Sequence, residues 1–159
     1  MCGILSFFGE KSRTNLKERL EKMHHRGPDE DDLCKFNNLY LGHKRLSIID
    51  PKKGHQPIAN ENKDKNIIAN GEIYNYQSLK EDLTDHQFNT DSDSEVIIHL
   101  YEDMGVECVK ELEGMFSFVI SDNGTPFAAR DTLGIKPLYY AETEDGIYFA
   151  SELKALADL

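Results

Sequence analysis

Met115-Phe116-Ser117-Phe118-Val119-Ile120-Ser121-Asp122 is a run of apolar and small residues that stops at Asn123-Gly124, after which Pro126–Asp131 resumes an extended pattern. Asn-Gly between two such runs is a leading signal of a two-residue hairpin, because both turn positions need positive φ. The arrangement repeats downstream, where Leu138–Glu142 and Ile147–Ser151 flank Asp145-Gly146. Two hairpins in the last third of the chain predict antiparallel sheet there.

Upstream, Ile4–Phe8 reads as a buried strand closed by Gly9. Leu16, Leu20 and Met23 recur at helical spacing and the helix stops near Arg26-Gly27-Pro28. Tyr40–Asp50 and Asn66–Asn70 read as strands, Pro51–Asn60 as a loop holding Gly54 and Pro57, and Tyr74–Leu83 as a short helix. Ser92-Asp93-Ser94-Glu95 has the form of a capping box ahead of Val96, Ile97, Leu100 and Met104, with closure at Gly105. A second short helix spans Val106–Leu112 before Gly114, and Glu152–Leu156 is helical. Strands around a central helical stretch give an α+β fold with antiparallel sheets, not a βαβ crossover fold.

Length and charge narrow the function. The chain has 159 residues and a net charge of −11, enough for one domain with a core, and a poor match to a phosphate-tracking surface. Nucleic acid is therefore not an expected partner. Apolar runs such as Met115–Ile120 are far shorter than a bilayer span, so no membrane association is expected. The N-terminus lacks the basic start and unbroken apolar stretch of a signal peptide. The cysteines, Cys2, Cys34 and Cys108, are odd in number and widely spaced. That argues against a disulfide framework and against a cysteine zinc site, and favours a reducing, cytoplasmic setting.

Cys2 stands apart because initiator-methionine removal would expose it. Processing would place a free α-amine, with a pKa near ~8, on the same residue as a thiol near ~8.5. The amine can then serve as base for its own thiol, and Gly3 would let a substrate approach the backbone. Taken alone, a Met-Cys start also suits a small residue opening a buried strand. A papain-like Cys–His pair lacks its local signature.

Further segments occur in a characteristic order: Met1-Cys2-Gly3-Ile4, His25-Arg26-Gly27-Pro28-Asp29, Gly42–Asp50, Gly54-His55-Gln56-Pro57, Asn70-Gly71-Glu72-Ile73-Tyr74-Asn75, Thr90–Glu95, Leu112–Phe118, Arg130-Asp131 with Gly134–Tyr140, and Phe149–Lys154. This series resembles the class II glutamine amidotransferase domain of glutamine-hydrolysing asparagine synthetase, over roughly residues 2 to 156. The resemblance implies an N-terminal-nucleophile αββα sandwich, two antiparallel sheets between helical layers. It implies a glutaminase that releases ammonia and glutamate through a Cys2 glutamyl thioester.

Glutamine carries a carboxylate, an ammonium and a neutral amide, so its site needs a cation, an anion and an oxyanion hole. By resemblance, Arg45 would bind the carboxylate, where a planar guanidinium can pair bidentately, and Ile48 and Ile49 would line the pocket through backbone. The Asn70 side chain and Gly71 N–H would form the oxyanion hole, although Asn-Gly is also a hairpin-turn signal. Asp93 would pair with the ammonium, with Glu72 beside it; Asp93 also suits a helix first turn. Arg26-Gly27 would sit in a loop near the nucleophile without a catalytic role, and His24 and His25 are read as structural.

No metal is assigned. Asp91, Asp93, Glu95 and Glu102 partly mimic an EF-hand spacing, but Val96 stands where Gly is required and the segment carries a helical apolar stripe. No cofactor is expected for this domain. ATP and magnesium belong to a synthetase domain, whose Ser-Gly-Gly-x-Asp-Ser type loop is absent from residues 1–159, so the whole stretch is read as one glutaminase domain. A synthetase domain or subunit is the expected partner. Three readings remain: the ammonia-producing half of an amidotransferase, a stand-alone glutaminase or amidotransferase with a different acceptor, and a non-catalytic module that keeps the fold.

Overall fold

Ile4 and Leu5 face opposite ways, and this alternation along the first strand separates the layers of the molecule. The structure, a computed structural model, describes residues 1–46 and 54–159. Ile4 packs with Leu39, Leu41, Ile68 and Val119 between two sheets. Leu5 and Phe7 pack outward against Leu16, Leu20 and Met23. Period-two burial on both faces is what a central strand between a second sheet and a helix requires.

The first sheet contains β1 (Gly3–Phe8), β2 (Glu30–Phe36), β3 (Leu39–Arg45), β8 (Tyr139–Thr143) and β9 (Gly146–Ala150), in the order β2-β3-β1-β9-β8. The second contains β4 (Ile58–Ala59), β5 (Lys65–Ile73), β6 (Gly114–Asp122) and β7 (Thr125–Arg130), in that order. Every pairing is antiparallel. Helix α1 (Leu16–Glu21) covers the first sheet; α2 (Tyr76–Asp82) and α3 (Glu95–Met104) cover the second. The layering is the αββα sandwich expected from the sequence.

Local sequence explains most boundaries. Asn15 caps α1, its Oδ1 accepting from the Lys17 N–H at 3.1 Å and leaving one fewer orphan donor. Gly105 ends α3 with φ of +60°, a left-handed conformation that favours glycine. Asn123-Gly124 closes the β6–β7 hairpin as read from sequence, whereas the β8–β9 turn is Glu144-Asp145, one residue earlier than expected, with Gly146 paired to Thr143 as the first residue of β9.

The structure corrects several sequence expectations. The polar strand β2, Glu-Asp-Asp-Leu-Cys-Lys-Phe, was not anticipated; it is a sheet edge, where half-exposed residues need no apolar alternation. A two-residue strand, Ile58–Ala59, lies inside the expected Pro51–Asn60 loop. The expected Tyr40–Asp50 strand is seen as Leu39–Arg45, and positions 47–53 lie outside the described residues. The helix expected over Val106–Leu112 is 3-10 in form, Gly105–Lys110, as is the C-terminal turn, Leu153–Ala155. The capping box is not formed: Ser94 is the N-cap of α3 and makes no side-chain cap bond. Glu95 instead accepts from the Asn89 N–H, the Thr90 N–H and the Thr90 hydroxyl at 2.6–2.7 Å.

Candidate active site

The alternation that buries Leu39 and Leu41 between the sheets continues along β3 to His43 and Arg45. On β5 the same inner face carries Ile68 and then Asn70. Apolar side chains thus give way to polar ones at one end of the sandwich, where both sheets border a cavity of ≈ 250 Å³. Cys2, one residue before β1, lines it, with Arg45, Asn70, Gly71, Glu72 and Asp93. Four chain segments remote in sequence therefore meet at one opening. Of the residues singled out from sequence, Ile48 and Ile49 alone lie outside the described residues.

Cys2 Sγ is held by Leu46 at the end of β3, accepting from its N–H at 3.5 Å and lying 3.9 Å from its carbonyl oxygen. The other cysteines are elsewhere. Burial pushes the Cys108 thiol up to about 11; burial, with Asp32 nearby, raises that of Cys34. Both shifts work against thiolate formation.

Gly3 does not face the cavity. A Cβ on it would approach Met23 at 3.2 Å and the Arg26 side chain at 3.6 Å, so its small size serves packing against the turn after α1, not substrate approach as expected.

Asn70 and Gly71 lie within β5, opposite Ser117 and Phe116 of β6. The hairpin-turn signal of this dipeptide is overridden by nine residues of continuous pairing. Asn70 is 2% exposed and its Nδ2 has no hydrogen-bond partner. A buried amide donor without an acceptor costs free energy, and such exceptions are rare. Gly71 is required sterically: a Cβ there would lie 2.2 Å from the Met115 carbonyl oxygen.

Arg45 is buried and its Nη1 pairs with Glu30 Oε2 at 2.9 Å. This pair crosses from β3 to β2 and orients the guanidinium at the cavity wall. Asp93 is also buried, its Oδ2 accepting from the Ile73 N–H at 2.7 Å. Burial pushes its carboxyl above the ordinary value against that bond, and Glu72 pushes the same way. The cavity is thus bordered by Arg45 on the first sheet, Glu72 on the second and Asp93 in the segment before α3.

Sequence reading missed three residues. Arg26 was set aside, yet it is buried and donates from Nε to the Cys2 carbonyl oxygen at 2.9 Å. Its Nη1 pairs with Glu152 at 2.9 Å. His43 lines the cavity and reaches Ala69 O on the other sheet at 3.2 Å; burial lowers its pKa to about 4. Lys136, 7% exposed, also lines the cavity. The only sequence signal for all three was membership of motifs, since none has a distinctive local spacing.

Comparisons with known proteins bear on the fold and the family. Two solved structures superpose over 98% of this chain and 43% of their own. They are glutamine phosphoribosylpyrophosphate amidotransferase from B. subtilis, with TM-score 0.78 at 20% identity, and an allosteric regulatory enzyme of purine biosynthesis, with TM-score 0.79 at 21% identity. At that identity the likeness establishes the fold alone, the αββα sandwich. The family model described as a glutamine amidotransferase domain matches residues 1–159, and the chain belongs to that family. It is accordingly an enzyme domain of the amidotransferase class. Among curated relatives, two proteins of Arabidopsis thaliana, asparagine synthetase [glutamine-hydrolyzing] 3 and 2, are each 48% identical over 99% of this chain. The corresponding protein of Zea mays is 48% identical over the same share. The chain spans about 29% of the length of these relatives. No described helix is long and apolar enough to cross a membrane.

Proposed function

We propose that this domain hydrolyses glutamine to glutamate and ammonia with Cys2 as nucleophile, after removal of Met1. The observation that carries the reading is the buried, unpartnered Nδ2 of Asn70 in the cavity that Cys2 lines. A donor held without an acceptor suits an oxygen that gains negative charge only during reaction. Arg45 takes the substrate carboxylate, and Asp93, with Glu72 beside it, takes the ammonium. Those two contacts place the side-chain amide between Cys2 and Asn70.

With Met1 attached, the Cys2 nitrogen is a peptide amide and cannot act as base. Met1 itself borders the cavity, so its removal both creates the amine and clears space. The amine takes the thiol proton, and Sγ attacks the amide carbon. The oxyanion forms against Asn70 Nδ2 and the Gly71 N–H. Collapse breaks the C–N bond, and ammonia leaves with the proton from the α-ammonium. Water then adds to the thioester, assisted by the same amine, releasing glutamate and restoring the thiol. Side chains, the amine and water suffice, with no cofactor in the steps.

The ammonia serves an ATP- and magnesium-dependent synthetase domain or subunit that makes asparagine, in a cytoplasmic setting. The relatives' names and the 29% share of their length support this. Mass spectrometry together with ammonia release from glutamine tests the reading. The expected result is loss of Met1 and activity that Cys2→Ala abolishes. Retained Met1, or full activity in Cys2→Ala, overturns it. Acceleration by an added synthetase domain separates the coupled enzyme from a stand-alone glutaminase. A processed chain that binds glutamine without releasing ammonia is the non-catalytic module.

A further inference from the structure

On the outer side of the second sheet, away from Cys2, four side chains converge from three chain segments. Glu61 follows β4, His86 follows α2, and His99 and Glu102 share one face of α3. One ligand atom from each lies within 4.8 Å of all the others. His99 Nδ1 is 3.0 Å from Glu102 Oε2 and 3.5 Å from Glu61 Oε2. His86 Nδ1 is 3.4 Å from Glu61 Oε1 and 3.6 Å from Glu102 Oε2. His99 is fully buried, and His86 Nδ1 and Glu61 Oε2 are buried without hydrogen-bond partners.

Direct hydrogen bonds do not account for this spacing. N–H···O contacts fall at roughly 2.7–3.2 Å, and three of the four contacts are longer. The edges of a tetrahedron with metal–ligand bonds of about 2.0–2.1 Å are about 3.3 Å, close to the four ring-to-carboxylate separations, with Glu61 offering Oε2 to His99 and Oε1 to His86. Charge points the same way. Four carboxylates, Glu61, Glu95, Glu102 and Asp103, surround two imidazoles, so even two protonated rings leave a negative excess.

The surroundings of the His86 ring are those of a metal ligand. An imidazole that offers Nδ1 to a metal carries its proton on Nε2, which then meets a carboxylate or carbonyl. His86 Nε2 faces Asp103 Oδ1 at 3.0 Å. His99 Nε2 is buried without a hydrogen-bond partner, 3.8 Å from Glu95 Oε1, and the three donors from Asn89 and Thr90 fix that carboxylate. Glu102 is fixed as well, its Oε1 accepting from Asn60 Nδ2 at 2.7 Å.

We propose that Glu61, His86, His99 and Glu102 form a four-coordinate structural site for one zinc(II) ion. Two imidazole nitrogens select zinc over calcium or magnesium, which take oxygen ligands. The ion ties the turn before β5 and the segment leading to Asp93 onto α3. The sequence reading assigned no metal, because the four ligands are spread over forty-two positions and share no motif.

The test uses the full chain with Cys2→Ala, which removes the active-site thiol as a competing zinc ligand, after exhaustive dialysis against EDTA. Zinc chloride is titrated by calorimetry and thermal melting, and cobalt(II) by visible absorption. One equivalent should bind, with a tetrahedral cobalt spectrum and a Tm rise of about 5–10 °C at a hundredfold excess over Kd. His86→Ala should abolish binding. Asp103→Asn, a change at an exposed carboxylate, should weaken it by about 10–100-fold, and it decides the matter if His86→Ala does not fold. Absence of saturable zinc binding overturns the proposal, as does binding that is unchanged in folded Asp103→Asn and His86→Ala proteins. Magnesium chloride should give no shift, and an equal shift with magnesium also overturns it.

Discussion

Arg26 donates from Nε to the carbonyl oxygen of Cys2 at 2.9 Å, joining the turn after α1 to the proposed nucleophile. Glu152 fixes the guanidinium from the far end of the chain. Burial opposes ionisation of Glu152, but hydrogen bonds from Arg26, Lys154 and His25 outweigh it and hold its carboxyl at about 2. The pair therefore stays charged at working pH, and an N-terminal residue that would otherwise fray is tied down.

Arg26→Gln is expected to lower kcat for ammonia release by about 100-fold, the scale of a misplaced nucleophile, with KM for glutamine little changed. Glu152→Gln should give a smaller loss of the same kind, since the guanidinium loses its orienting partner and keeps the Cys2 contact. Steady-state kinetics of both variants checks this. A rise in KM without loss of kcat would mean that Arg26 acts on substrate binding instead.

Asn70→Ala separates function from stability. Removing an oxyanion donor costs about 10²–10³ in kcat. Nδ2 has no partner in the fold, so its removal deletes an unsatisfied group, and Tm should hold or rise. Ammonia-release kinetics and thermal melts, measured on one preparation, give both readouts. A large drop in Tm would assign Asn70 a structural role.

Asp93→Asn should raise KM for glutamine by about 10–100-fold, because a buried charge pair with the substrate ammonium loses its anion. Burial raises the Asp93 carboxyl, and binding needs it ionised. In the wild type, glutamine affinity should therefore fall with acidification at a higher pH than an ordinary aspartate would give. The pH profile of kcat/KM shows that limb, and it should be absent from Asp93→Asn.

His43 governs acid stability. Its pKa is about 4 in the fold against an ordinary 6.5. Above 6.5 the ring is neutral in both states and contributes no pH dependence. Below 6.5 the unfolded chain takes up a proton that the native state refuses, so stability falls until pH reaches about 4. The shift corresponds to about 3 kcal/mol. His99 is shifted upward by its carboxylates and acts in the opposite direction over nearby pH, so the clean measurement is a difference. Urea unfolding from pH 7 to 4.5 should show a steeper loss in the wild type than in His43→Gln.

The legible parts of the fold were those set by local chemistry. Asn123-Gly124 marked a hairpin because turn geometry is dictated by the residues in the turn, and Asp145-Gly146 marked the second to within one residue. Gly105 ended α3 for the same reason. β2 was illegible because its polar, half-exposed residues Glu30–Phe36 show no apolar alternation, and the capping box misled because Glu95 found nearer donors in Asn89 and Thr90. Asn70-Gly71 carried a strong turn signal that the β5–β6 pairing overrode.

The sequence by itself determined the class of fold, the order of most strands and helices, and the residue types that glutamine chemistry needs. Cys2, Arg45, Asn70, Gly71 and Asp93 could be named because motif order ties them to a family. Only the tertiary structure decided that these residues share one cavity, that Asn70 Nδ2 is left without a partner, and that Arg26 holds Cys2. The same holds for the convergence of Glu61, His86, His99 and Glu102. The reason is physical: turns and helix ends depend on neighbours in sequence, whereas a cavity or a cluster depends on which faces of remote strands and helices pack together.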